Sequence, residues 1–378
     1  MIYMDVNASA PLRPEVADKC LPFLRELHGN PSSIHAAGRK LRAAIDEARD
    51  CVAAFFGCAP REVIFVSGGS EADNLAIKGV ARALRGKGNH IVTTAVEHPA
   101  VLNACRDLAD DGFEIAYLDV DRQGRLDLDR LKAALTDRTI LISIMAANNE
   151  TGVVFPVAQI GEIAAARGIA FHCDAVQAAG RLPLDAAAAK IDLLSLSGHK
   201  LGAPSGGGAL IVRGNVKPHP QIHGGLQEFG RRAGTENAAA IVGLGEACAV
   251  LQKTMTDEIR RVGALRDRLE CGLRTALSFA TAIGDKQSRL SNTSLMVFAG
   301  VAADSLLVNL DLAGIAVSSG SACAAGTVRP SHVLAAMGLP PDLNKCALRF
   351  SLGIHNTEAE VDDVLRILPA MAVRLRKP

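Results

Sequence analysis

The chain has 378 residues, 49% of them hydrophobic, which is enough for two domains with sizeable cores and too apolar for disorder. A formal net charge of +1, 3% aromatic residues and no tryptophan exclude a nucleic-acid binder driven by bulk charge or base stacking. Nine cysteines without a CxxC pair or a Cys/His grid exclude a structural zinc site and a disulfide framework, so a metal-free protein of the reducing cytoplasm is expected.

In chain order, the N-terminal stretch "MIYMDVNASAPLRPEV" meets Asp5 and Pro11 before any apolar run forms, unlike a signal peptide. No later segment approaches the roughly 20 apolar residues that span a bilayer, so no membrane contact is expected. The Asn-x-Ser/Thr matches at Asn7, Asn149 and Asn292 are accordingly read as accidental. From Val63 to Val212 the runs "VIFV", "HIVTT", "EIAYL", "TILISIM", "IAFHC", "IDLLSLS" and "GALIV" read as seven strands. Several are continuously apolar, as in strands buried on both faces. Helical patterns lie between them, including Ala72–Leu84 and Val157–Arg167. The alternation predicts an α/β fold, a mostly parallel sheet covered by helices. Later, Asp257–Leu277 reads as one long helix, "TSLMVF", "IAVSS" and "CALRFS" as short strands, and Glu358–Leu375 as a final helix. The expected division is a large domain over 16–250 and a smaller α+β domain formed by 1–15 and 251–378.

Ligands of parallel sheets lie beyond the carboxyl ends of the strands, so the polar residues there carry the functional reading. "SGGSEADN" follows the first strand: Gly68 and Gly69 permit a tight turn, and Ser70 with Asp73 fits a capping box. Such a helix start is an anion site or an ordinary capped turn. His98 in "AVEHPAVL" is a capping histidine or a flat ring that stacks on a planar ligand. Asn148 and Asn149 are turn residues or ligand donors. Asp174 in "FHCDAVQ" ends an apolar strand, where a carboxylate needs a cation or strong donors, and Gln177 follows by three residues. Lys200 in "SGHK" leaves a buried strand, where lost solvation frees a neutral amine; a snorkelling lysine is the plain alternative. An anion cradle, an acid, an imidazole and an amine at neighbouring strand ends are the set that pyridoxal phosphate requires.

"GNPSSIH", "SGGSEADN", "EHPAV", "NNETG", "FHCDAVQ", "SGHK", "RRAGTEN", "SSGSAC" and "LRFSLG" occur in the order found in cysteine desulfurases of the nitrogen-fixation and iron–sulfur-cluster type. The chain resembles these class V aminotransferase-like, fold-type I enzymes from about Tyr3 to about Glu358. The resemblance implies that Lys200 forms the Schiff base with the cofactor, Asp174 partners its ring nitrogen, Gln177 its ring hydroxyl, and His98 stacks on the ring. It implies phosphate contacts from the Gly69 backbone, Ser70, Ser197 and His199, and from Thr235 of the other subunit of a homodimer. Asn149 matches the family's active-site asparagine and Arg349 the arginine that binds the substrate carboxylate. In a strand, Arg349 faces away from Leu348 and Phe350, and its guanidinium suits a two-bonded grip on a carboxylate.

Cys323, set among small residues in "SSGSACAAGTVRP", matches the catalytic cysteine. The implied reaction converts L-cysteine to L-alanine. Lys200 moves the α-proton, Cys323 attacks the substrate sulfur, and its persulfide passes to an acceptor protein. Nitrogenase clusters, general iron–sulfur assembly, tRNA thiolation and DNA sulfur modification are all open as destinations. Val6, Ser9, Ser70, Ser205, Ala324 and Ala325 depart from the usual pattern. Competing readings are a selenocysteine lyase, a class V transaminase without use for Cys323, a catalytically weak scaffold that kept the fold, and a dinucleotide-dependent enzyme lacking the glycine fingerprint.

Overall fold

A computed structural model of the chain describes residues 1–214, 216–319 and 330–376. Cys323, Ala324 and Ala325 lie outside the described residues, and with them the expectation of a catalytic thiol at that position.

The central sheet has seven strands, ordered Val63–Val66, Gly208–Val212, Leu193–Ser197, Ala170–Asp174, Thr139–Ser143, His90–Thr94 and Glu114–Leu118. Gly208–Val212 pairs antiparallel with both its neighbours, and the remaining pairs are parallel. All seven strands read from the sequence are present, and the sheet is mostly parallel as expected. Six of its strands, all but the exposed edge Glu114–Leu118, are buried at every position, which explains their largely apolar character. A Cβ on Gly208 would meet the Leu196 carbonyl oxygen at 2.6 Å and the Gly68 Cα at 2.7 Å, so a glycine is needed for the first strand's exit turn to sit against this one.

A second sheet is antiparallel, ordered Ser318–Ser319, Ala347–Ser351, Thr293–Phe298 and Ala280–Ile283. The sequence shows one strand at "IAVSS"; the structure breaks it into Ile315–Ala316, which pairs with Ile2–Tyr3, and Ser318–Ser319. The chain's first residues thus form a small two-stranded parallel sheet of their own with Ile315–Ala316, and Asp5 bridges to Ser351 of the second sheet. The long helix runs Ala238–Ala276, 39 residues, rather than starting at Asp257. Its Ala-rich opening lacks a charged periodicity, which hid its continuity with the second half. Ile241, Leu244, Cys248 and Leu251 pack into the core beneath the central sheet, whereas Leu265, Leu269 and Leu273 pack into the core of the second sheet. Among the described residues no helix is long and apolar enough to cross a membrane.

The edge strand Val63–Val66 is closed by a buried ion pair. Arg49 donates to the Val63 carbonyl at 2.7 Å, and Glu228 accepts from the Phe65 amide at 2.8 Å. The two side chains meet at 2.7 Å, 5% and 1% exposed. Glu228 holds a left-handed φ of 46° to reach this place. Removing one partner strands the other charge, so Glu228→Ala should cost about 3–5 kcal/mol in chemical denaturation. An unchanged denaturation midpoint would show that the edge strand does not depend on the pair.

Candidate active site

A cavity of about 830 Å³ opens where the strand ends of the central sheet face the second sheet. Lys200, Asp174, Gln177, His98, Asn149, Gly69, Ser70, Ser197, His199 and Arg349 all line it. Of the expected site residues in the described chain, only Thr235 does not; it is exposed, outside the cavity. Ser318 and Ser319, the last described residues before the Cys323 stretch, line the same wall.

Lys200 ends the short turn Gly198–Lys200 that leaves strand Leu193–Ser197. Its Nζ donates to the carbonyl oxygens of Asn7, at 2.5 Å, and Ala8, at 2.7 Å. Burial, then the nearby cations Arg181 and Arg349, lower its pKa to about 7, while Asp5 and Asp174 act in the opposite direction. The amine is therefore available in neutral form at physiological pH. Its neighbour His199 is held neutral, with a pKa lowered to about 4 by burial, Lys200 and Arg181.

Asp174 closes strand Ala170–Asp174 and accepts from the Val176 amide at 2.9 Å. Among the described residues it forms no ion pair, and burial with Asp73 alongside raises its pKa to about 6. A buried carboxylate of this kind calls for a cation. Gln177 donates to the Asn7 carbonyl at 3.0 Å and accepts from Arg181, which leaves one amide hydrogen uncommitted. His98 caps helix Pro99–Asp110, its Nδ1 accepting from the Ala100 amide at 3.2 Å, so the capping alternative holds; the residue also lines the cavity. With Nδ1 an acceptor, the neutral ring carries its proton on Nε2. Burial, Lys200 and His332 keep it below the usual imidazole range. The Asn pair divides its tasks. Asn148 is the turn residue, accepting from the amides of Glu150 and Thr151, while Asn149 reaches the cavity.

The helix Gly69–Leu84 starts at the cavity, but Ser70 and Asp73 do not form the expected capping box. Glu71 instead accepts from the Ser67 amide at 2.8 Å and pairs with Arg232 at 2.9 Å. Ser70 stays exposed at the helix start, beside Ser197 and His199 in the lining. A Cβ on Gly69 would meet Val176 Cγ2 at 2.7 Å, so only glycine brings this backbone so close to the strand-end loop. Asp73 is buried under the cavity floor, 3.5 Å from His172 Nε2, and its Oδ1 has no hydrogen-bond partner. His172 is held between Ser143, at 2.8 Å, and Ser195, at 2.9 Å, and burial lowers its pKa to about 4, so it supplies no charge to either carboxylate.

The sequence reading missed the N-terminal segment. Asn7 contacts Asn149, Thr293, Asn292, Gln177 and Lys200 through its side chain or carbonyl, and Asp5 pairs with Arg349 at 2.7 Å. Only the apolar-poor "MDVNASAP" signalled it, and nothing local says that such a segment returns to a strand end nearly two hundred residues away. Arg181, Glu97 and His172 were missed for the same reason, and Asp73 was read only as half of a capping box.

The donor set fits pyridoxal phosphate: an uncompensated buried carboxylate for a pyridinium nitrogen, a neutral amine for an aldehyde, a flat imidazole, and a helix start whose glycine leaves no Cβ in the way. In protein free of any carbonyl ligand, Lys200 should become reactive to an amine-selective label as pH rises through about 7, read by mass spectrometry. Arg181→Met should move that transition upward, since it removes a neighbouring cation. A lysine unreactive until pH 10 would refute the depressed basicity.

The class-V aminotransferase family model matches residues 2–364. "Cysteine desulfurase 2" of Trichormus variabilis is 48% identical over 376 residues, covering 100% of this chain and 94% of its own. "Cysteine desulfurase IscS" of Dictyoglomus turgidum is 47% identical over 375 residues, covering 99% and 95%. A solved "NifS-like protein" superposes with a TM-score of 0.93 at 34% identity, covering 99% of this chain and 100% of the other. These matches span essentially every element described above, and on them the chain belongs to the class-V aminotransferase family, in its cysteine desulfurase branch.

Proposed function

We propose that this cysteine desulfurase uses pyridoxal phosphate held by Lys200 to convert L-cysteine to L-alanine, with the sulfur carried on Cys323. The observation that carries the reading is the meeting, in one cavity, of a depressed lysine, an unpaired buried carboxylate and a buried arginine. Lys200 would hold the cofactor covalently, Asp174 its ring nitrogen, Gln177 its ring hydroxyl, and His98 its face. Gly69, Ser70, Ser197 and His199 would hold the phosphate, with Thr235 reaching it from a second copy in a homodimer; the exposure of Thr235 outside its own cavity supports that arrangement. When bound, the cofactor supplies an aldehyde that condenses with amines and a pyridinium ring that accepts an electron pair.

The residues of the chain then have defined tasks. Arg349 and Asn149 hold the substrate carboxylate and orient the α-carbon toward Lys200. Lys200, with a pKa near 7, takes the α-proton and returns it, the matched basicity that proton transfer requires. His98, with its proton on Nε2, exchanges a proton with the substrate thiol. The Cys323 thiolate attacks the substrate sulfur: a C–S bond breaks, an S–S bond forms, and the carbon gains hydrogen, so no external oxidant is needed. Two observations support Cys323. Among the described residues no cysteine lines the cavity, and burial raises the thiols of Cys58 and Cys105 to about 12. Ser319 lines the cavity four residues before Cys323, and four residues of chain reach at most about 14 Å. The persulfide passes to an acceptor protein, with iron–sulfur assembly the destination that the name of the Dictyoglomus relative favours. The division into a large part, 16–250, and a small part, 1–15 with 251–378, belongs to this proposal and is supported by the separate core of the second sheet, which includes Met4.

Lys200→Ala should abolish both turnover and the visible absorbance of the cofactor-bound protein. Cys323→Ser should keep that absorbance and lose alanine formation. After L-cysteine is added, mass spectrometry should find one extra sulfur on Cys323 in the wild type. Wild-type alanine production by Cys323→Ser would exclude the thiol as sulfur acceptor.

A further inference from the structure

The carboxylate-binding arginine already holds a carboxylate. Arg349 is 5% exposed and lies on the cavity wall. Its Nη1 donates to the Asn149 carbonyl at 2.9 Å, and its Nη2 to Asp5 Oδ1 at 2.7 Å. Its Nε is buried and has no partner. Asp5 lines the same cavity, with its side chain 20% exposed, so it is reached from the side on which a substrate enters.

We propose that Asp5 is an internal surrogate for the substrate carboxylate: it occupies the Arg349 guanidinium in the empty enzyme, and an incoming amino acid displaces it. The inference rests on the reading of Arg349 as the substrate's carboxylate site. A two-bonded grip needs parallel N–H groups from two guanidinium nitrogens. One nitrogen is committed to a backbone carbonyl and another to Asp5, and the third is walled off. Adding a second carboxylate beside Asp5 would press two like charges together in a poorly solvated site. Exchange avoids that cost. It also explains why a buried arginine survives without ligand, since an unpaired guanidinium there would be expensive. Asp5 therefore acts through Arg349 as a positioning and specificity residue: it sets a threshold that only a ligand bringing its own carboxylate crosses, and it returns as the product leaves.

The test uses 3-mercaptopropionate, which has the thiol and carboxylate of the substrate but no amine to condense with the cofactor. Its binding to the purified enzyme is measured by calorimetry, beside KM for L-cysteine. Asp5→Asn keeps the shape and removes the charge, and is expected to tighten both constants about tenfold, the worth of one charge-assisted bond. Asp5→Ala should do the same and guards against an effect peculiar to asparagine. Arg349→Lys should weaken binding of the probe. If Arg349→Lys loses the probe while both Asp5 variants bind it equally or more weakly, Asp5 is not a competitor and the inference falls, with the arginine's role intact. If Arg349→Lys binds the probe as the wild type does, the reading of Arg349 falls and the inference with it.

Discussion

The site depends on the desolvation of a single amine. Lys200 could solvate its ammonium group only by facing water, and the fold places it instead against the carbonyls of Asn7 and Ala8, between two arginines. Every other feature of the cavity is arranged around that cost. The strand that delivers the lysine is buried at each position, so the backbone cannot yield. The segment that receives it is pinned in turn by Asn7, whose side chain reaches Thr293 of the second sheet. The depressed basicity of Lys200 is thus a property of how two sheets and the chain terminus meet, rather than of the residues next to it in sequence.

The acidic side of the cavity follows the same logic with the opposite sign. Asp174, Asp73 and Glu97 are buried near one another, and each is pushed above the usual carboxylate range, first by burial. The neighbouring imidazole of His172, held between serines of the two flanking strands, has its basicity lowered by burial, and its opposing influence on Asp174 is smaller than that of burial. A fold that buries three carboxyl groups beneath a cavity floor has a use for a cationic ring above it, which would favour the ionised form of the nearest one. Structural burial alone would have favoured apolar side chains at these positions.

Much of the fold was legible because it is local. The seven strands of the central sheet announced themselves as short apolar runs, and polar residues at their ends marked the cavity. That rule brought Lys200, Asp174 and His98 forward as candidates, and all three line the cavity. Arg349 came from the family resemblance, and strand alternation agreed with it, since Leu348 and Phe350 fill the second core. What stayed hidden was long-range. Asn7 read as an accidental glycosylation match, yet it contacts five partners from four separate parts of the chain. Asp73 looked like half of a capping box because the spacing to Ser70 was right, but the helix is capped at Gly68, before Ser70, and the carboxylate is buried. The homology to cysteine desulfurases named the roles; it did not locate Asp5 or Asp73.

The helix Ala238–Ala276 has a mechanical meaning. At about 1.5 Å per residue its 39 residues form a strut of roughly 58 Å. One end is bolted into the packing under the lysine, the other into the packing under the arginine. The span between amine and guanidinium is therefore set by a stiff beam and resists stretching. Any adjustment of the cleft to its cargo must come as a pivot about that axis, which changes the angle of approach and leaves the gap nearly constant.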